Sequence, residues 1–322
     1  MSEQIDVIDG IPVRSEKIEF DPSRLKACGA CGRSNAPDRA ECIYCGTGLP
    51  ITSEGSSDFK LRDVEPWEKA FNIILVGKGG ASSLNDQPFD SEVVHRAMEL
   101  GPPIPLGRVG NFGAAASINE LLKDSGLQTV VVSDDRLNAS NPPVRLRSLS
   151  VSAGSIVVIT FNMNERLEFP AESLKSVVVG RLFEERSEQS LKKKRGGVKE
   201  IDGRNISKDS SVVDLYFGDE LGGFRITEVG FDFSGLGERK SFLAAENIKS
   251  VIEQLRASAP SVVISTDYVM KRSILEDIWP ANIYDDSKGL QRAKFGITVE
   301  KAEVSTNTEQ FTKYSRLVRL TI

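Results

Sequence analysis

Residues that commonly carry reaction chemistry are scarce in this chain of 322: it has one histidine and four cysteines. All four cysteines fall within residues 28–45, so no thiol elsewhere can form a dyad with His95, and no G-x-S-x-G elbow presents a serine nucleophile. Excess positive charge is missing too. The 41 Lys and Arg set against 46 Asp and Glu leave a formal net charge of -5, which gives a polyanion no chain-wide field to follow. No uninterrupted apolar run approaches the roughly 20 residues that a membrane-spanning helix needs. The opening MSEQIDVIDGIPVRSEKIEF has no basic segment followed by an apolar run and a small-residue cleavage site. These absences predict a soluble, cytoplasmic protein without enzymatic activity. With 39% hydrophobic and 27% charged residues the chain can bury ordinary cores, and its length predicts two or three small domains.

What is present is concentrated in CGACGRSNAPDRAECIYCGTG, residues 28–48. Cys28, Cys31, Cys42 and Cys45 are spaced C-x2-C-x10-C-x2-C, and four thiolates at that spacing can close a tetrahedron around Zn2+. Gly32 and Gly46 follow the two pairs and let the backbone curl so that amides point at the sulfurs. So short a segment has little apolar surface of its own, so the metal would supply its folding energy. The segment resembles a zinc ribbon, similar to the single units of bacterial double-zinc-ribbon proteins. Asn35 completes a C-x3-N-x6-C core that resembles the Ran-binding-protein type of zinc finger, some members of which bind single-stranded RNA. The family's stacking aromatic and its tryptophan are replaced here by Ala36 and Lys26, which leaves Arg33 and Arg39 as contacts for bases. Tyr44 reads as a small-core or partner-facing aromatic. A closed four-cysteine site can also serve only to staple its own fold.

The remaining chain divides by composition. Residues 1–50 hold a polar lead and the ribbon, and the Ser/Gly-rich 51–66 reads as a linker. Residues 67–137 predict a small α/β module: a strand at FNIILVG (71–77), a helix at SEVVHRAMEL (91–100), a break at PPIPLG (102–107), a helix at 114–126 and a strand at LQTVVVS (127–133). The second helix places Ala114, Ile118, Leu121 and Leu122 on one face and stops at Gly126. This frame resembles the C-terminal domain of the ribosomal stalk protein and the related adaptor fold that feeds bacterial proteases. The lysine-rich helix by which the stalk domain recruits translation factors has no match here. Residues 134–143 read as a second linker. Strands at 146–152, 155–162, 166–170, 176–185, 211–217 and 222–233, closed by an amphipathic helix at 244–258, resemble a pleckstrin-homology or GRAM-like domain over 145–260. Within it the charged, aperiodic 185–210 reads as a loop. Residues 261–322 predict a helix at 268–280 and a terminal strand at 310–322. The fold class expected is therefore multidomain α+β: a zinc ribbon, an α/β module and an antiparallel β domain with a C-terminal helix.

Other motifs have plainer readings. GRVGNFGAA (107–115) imitates a dinucleotide fingerprint, but its spacing is G-x-x-G-x-x-G and PPIPL precedes it. VGKGGASS (76–83) puts Lys78 after a strand, yet Asn72 and Gly79 stand where a phosphate loop needs glycine and Ser/Thr. Asp134–Asp135 and Asp285–Asp286 read as solvated turn acids. Lys192, Lys193, Lys194 and Arg195 could meet anionic lipid, but Glu184, Glu185, Glu188, Glu200 and Asp202 surround them. The reading preferred is a non-enzymatic, zinc-binding interaction protein of bacterial type with a protein partner. A nucleic-acid-associated ribbon protein is the alternative, and a peripheral membrane adaptor the second.

Overall fold

The computed structural model describes residues 6–8, 11–13, 25–35, 42–45, 64–65, 68–77, 79, 91–152, 154–193, 199–287, 289–293 and 296–322. Strands β1 (Asp6–Ile8) and β2 (Ile11–Val13) form an antiparallel pair, and β3 (Lys26–Ala27) with β4 (Ser34–Asn35) frame the first two cysteines. Most of the predicted linker 51–66 lies outside the described residues.

The α/β module runs β5 (Phe71–Gly77), α1 (Ser91–Leu100), β6 (Ile104–Val109), α2 (Phe112–Asp124), β7 (Gln128–Ser133). FNIILVG is its central strand, with Ile73, Ile74 and Leu75 fully buried and β6 and β7 antiparallel on either side. The break expected at PPIPLG is thus corrected to a strand. It can be one because β6 is an edge, and the register against β5 slips between Ile73 and Ile74, opposite Gly107 and Pro105. A proline without an N–H is tolerated at such an edge and bulge. Helix α2 is capped by Asn111, whose Oδ1 accepts from the Ala114 N–H at 2.7 Å, and it ends at Gly126, whose φ of +87° suits glycine. Leu121, expected on its inner face, is 48% exposed, and Ala115 is buried with Ala114, Ile118 and Leu122.

After the short helix α3 (Asp134–Leu137) come β8 (Val144–Ser152), β9 (Ser155–Thr160), β10 (Arg166–Pro170), β11 (Leu174–Lys193), β12 (Lys199–Phe217) and β13 (Phe224–Thr227). Helix α4 (Ala244–Ser258) buries Ile248, Val251 and Leu255 against this sheet. Then follow β14 (Val263–Ser265), α5 (Tyr268–Ile278), β15 (Asn282–Asp285), β16 (Gly289–Ala293), β17 (Gly296–Thr306) and α6 (Thr308–Leu320). The sheet is open, ordered β10-β9-β8-β13-β12-β11-β17-β15, with β14 beside β11 and β16 beside β17. The chain is therefore mixed α/β with antiparallel and mixed sheets, and its large sheet is not a barrel.

Three expectations are corrected here. Residues 185–193 and 199–210 are strand where a loop was expected: β11 and β12 pair from Leu174↔Phe217 out to Lys193↔Lys199, and β17 pairs with the outer half of β11. The charges that read as solvated bridge strands, as in Lys208–Glu184 at 3.3 Å and Arg181–Asp209 at 3.0 Å. Residues 261–322, expected to hold a helix and one terminal strand, contribute four strands, β14 to β17, to the same sheet. The tail 310–322 is helical: Phe311, Tyr314, Leu317 and Val318 follow a 3.6-residue period and are all buried.

Helix α6 packs where the α/β unit meets the large sheet. One core cluster joins Ile74, Val132 and Leu137 of the α/β unit to Val178, Val212 and Tyr216 of the sheet and to Phe311, Tyr314 and Leu317 of α6. A Cβ at Gly180 would stand 2.3 Å from the Phe311 ring, so only glycine lets α6 approach β11 so closely. The polar residues of the helix are bonded as buried groups must be. Thr312 Oγ1 accepts from Arg225, which also forks onto Asp214 with two bonds of 2.7 Å, and Asn307 spans the edge of β11 between the Phe183 N–H and the Arg181 carbonyl.

Candidate metal centre

Strands β3 and β4 turn the chain so that Cys28 and Cys31 lie at a knuckle. The Cys28 N–H donates to the Arg33 carbonyl at 2.9 Å, and the Gly32 N–H donates to the Cys28 carbonyl at 2.8 Å. Gly32 takes φ +67°, the left-handed conformation this reversal requires. Its counterpart Gly46 lies outside the described residues, as do Ala36 and Arg39. Cys42 to Cys45 form the second turn facing the first.

The four sulfurs come together, all within 4.8 Å of one another. Cys28 Sγ is 3.6 Å from Cys45 Sγ, and Cys31 Sγ is 3.5 Å from Cys42 Sγ. A tetrahedral ion with metal–sulfur bonds near 2.3 Å would hold its sulfurs about 3.8 Å apart, whereas a disulfide would need about 2 Å. The donor set therefore fits a metal ion. Cys28 and Cys42 are buried, and Cys31 and Cys45 face outward.

Asn35 is the buried residue behind this set, only 2% exposed. Its Oδ1 accepts from the Ile43 N–H at 3.0 Å, while its Nδ2 donates to the Arg33 carbonyl at 2.9 Å and reaches Cys42 Sγ at 3.5 Å. One amide thus locks the two turns to each other and aims a donor at a ligand. The proton balance of the sulfurs is uneven. Burial pushes the Cys42 thiol up, but the Tyr44 and Cys45 N–H groups and then Asn35 bring it down to about 6. The Arg33 N–H pulls the Cys31 thiol down, but burial and its three sulfur neighbours push it up to about 12. Four thiolates this close need a cation among them. The outer wall of the second turn is apolar: Ile43 is 53% and Tyr44 51% exposed, and the Arg33 guanidinium lies 4.6 Å from the Tyr44 ring centroid.

The remaining sequence candidates do not assemble a second site among the described residues. His95 is exposed on α1. Lys78, Lys194 and Arg195 lie outside the described residues, and Lys192 and Lys193 are paired positions of β11. Gly107 lies within β6, Gly110 directly follows it, and Gly113 is already inside α2. Asp135 is the solvated corner expected, paired with Lys69 at the surface. Asp134 is not. Its carboxylate accepts from the Ala70 N–H at 3.0 Å, Asn72 Nδ2 at 2.8 Å and Arg108 at 2.7 Å, with Lys313 Nζ at 3.6 Å. Asn72 in turn accepts from Trp279 Nε1 at 2.8 Å. Burial raises the Asp134 carboxyl, but Lys313, Asn72 and Arg108 outweigh it and hold it below the usual carboxylate range. This cluster fastens the α/β unit to α5 and α6. Set against known protein families, curated proteins and solved structures, the chain matches none.

Proposed function

We propose that the chain is a non-enzymatic, zinc-binding interaction protein in which the metal rigidifies a small recognition knuckle. Cys28, Cys31, Cys42 and Cys45 would hold the ion. An all-thiolate tetrahedral set favours zinc over hard cations, and with four protein ligands it is closed to substrate. The ion's contribution is to neutralise the thiolates and fold the segment. The observation that carries the reading is the placement of Ile43 and Tyr44 between two ligands, half exposed and fixed in direction by Cys42, Cys45 and Asn35. An ordered apolar and aromatic surface with a guanidinium at its margin has the character of a protein-binding hot spot.

Elemental analysis of freshly isolated protein should find about one zinc per chain. Cross-linking in the host should capture a partner that is lost with Ile43→Asp, whose metal content stays unchanged. Iron in place of zinc would overturn the metal assignment. Salt-sensitive binding to single-stranded oligonucleotides would favour the nucleic-acid reading, because phosphate contacts release counterions. Salt-sensitive binding to anionic vesicles would favour the membrane reading.

A further inference from the structure

Helix α4 buries one side against the large sheet, through Asn247, Ile248, Val251 and Leu255, and leaves the other to solvent. The outward stripe, at steps of three and four residues, is Glu246, Lys249, Glu253 and Arg256, all exposed. Lys249, Glu253 and Arg256 make no ion pair or side-chain hydrogen bond among the described residues. The chain enters this helix through a stiff turn. Asn247, buried, accepts from the Ser241 N–H at 2.6 Å and donates to the Ser241 carbonyl at 2.8 Å, and the Leu243 N–H donates to Ser241 Oγ at 3.2 Å. Between those bonds stands Phe242, the most exposed large apolar side chain among the described residues. At the opposite, C-terminal end of α4 lies a hollow of about 430 Å³. Val151 and Gly154 line it from the β8–β9 hairpin, Gln254, Ala257 and Ser258 from α4, and Arg239 from the turn before the helix. One end of the helix thus carries an aromatic knob and the other a hole.

We propose that α4 packs antiparallel against α4 of a second copy of the chain, with Phe242 of each copy seated in the hollow of the other. Charge order along the stripe selects that occupant. A two-fold axis beside Val251 sets Glu246 of each copy level with Arg256 of the other, and Lys249 level with Glu253, so all four exposed charges meet their opposites. Parallel packing would set each charge against its own kind, which is costly across an interface. The same axis puts Ala245 level with Ala257, both exposed and small enough for the helices to approach closely. It also carries the N-terminal turn of one copy to the C-terminal end of the other, where the hollow is. A ring seated there meets Val151, Ala257 and the Arg239 guanidinium, a cation suited to an aromatic face. Because the patch is its own complement, association closes at two copies. The helix has 15 residues and is about 22 Å long, so the interface is a small one and the dimer is held in the micromolar range.

The test is sedimentation velocity of the full chain from about 1 to 200 µM, the range where an interface of this size would show. A concentration-dependent dimer is expected. Phe242→Ser should weaken it on the order of 100-fold, because the ring is lost at both ends of the contact. Lys249→Glu faces Glu253 of the other copy twice and should weaken it about tenfold, as should Glu253→Lys, which faces Lys249 twice. An equimolar mixture of those two variants should recover the dimer, since each then presents the charges the other lacks. That rescue between chains cannot come from a change within one helix. All three side chains are exposed, so circular dichroism of each variant should match that of the original chain. A chain still monomeric at about 200 µM would overturn the proposal. So would a dimer indifferent to Phe242→Ser, or a mixture of the two charge variants that stays as weak as either alone.

Discussion

Asp134 and Asp135 are neighbours in sequence, and replacing each by alanine should have opposite consequences. The Asp135 side chain is 70% exposed and its partner Lys69 79%, so their ion pair is screened and its loss should leave stability essentially unchanged. The Asp134 side chain is 12% exposed, and its cations Arg108 and Lys313 are 7% and 13% exposed. Asp134→Ala strands both cations and removes the acceptor for the Ala70 N–H and for Asn72. Breaking a buried pair by removing one partner costs about 3–5 kcal/mol, a third or more of the stability of many domains. At about 2–4 °C per kcal/mol for chains of a few hundred residues, the melting temperature should fall by roughly 10 °C. Urea denaturation followed by tryptophan fluorescence reads the site itself, because Trp279 donates into this cluster. The α/β unit should also lose its attachment, so that fluorescence and circular dichroism transitions no longer coincide. Equal small shifts for the two alanine variants would refute the claim that this cluster holds the units together.

The same carboxylate sets an acid limb. The Asp134 and Asp267 carboxyls are both held below their usual range despite burial, the first by Lys313, Asn72 and Arg108, the second by Lys271 and Ser265. Their stabilisation is complete above the unfolded value of about 3.9 and is lost as pH falls through the folded one, so Asp134→Asn should flatten the loss of stability below about pH 4. Asn35→Ala orphans the Ile43 N–H and removes a donor to Cys42. Chelator competition should show metal held about 10–100-fold less tightly, and unchanged affinity would deny Asn35 its place behind the ligands. Replacing residues 186–206 with a short Gly/Ser turn should cost more than about 3 kcal/mol in urea, because it strips β17 of its partner. A free loop there would change stability by only about 1 kcal/mol through closure entropy.

What could be read from the chain alone follows from how burial imprints a pattern. Four cysteines carry their chemistry in their spacing, and the structure brings all four together. FNIILVG, SEVVHRAMEL and AAENIKSVIEQLRAS also keep the element types expected of them, because each buries one side or a continuous run. The failures come where that link is broken. In β11 and β12 the outer positions are satisfied by cross-strand ions and backbone pairing, so a charged ladder reads like a charged loop. Proline at 105 reads as a break because its tolerance depends on an edge and a bulge, which only tertiary register creates. Helix α6 fails for the opposite reason. A helix that buries Gln310, Thr312, Ser315 and Arg316 along with Phe311, Tyr314 and Leu317 has polar residues on its buried side, which blurs the 3.6-residue period of its apolar ones. Arg316 gives its guanidinium to the carbonyls of Leu137, Asn138, Asn141 and Leu221, which are scattered over some 80 residues of sequence. Those carbonyls come from the segment read as a linker and from the turn between β12 and β13, so the polar residues that obscured the helix are the ones that bind the units into one body.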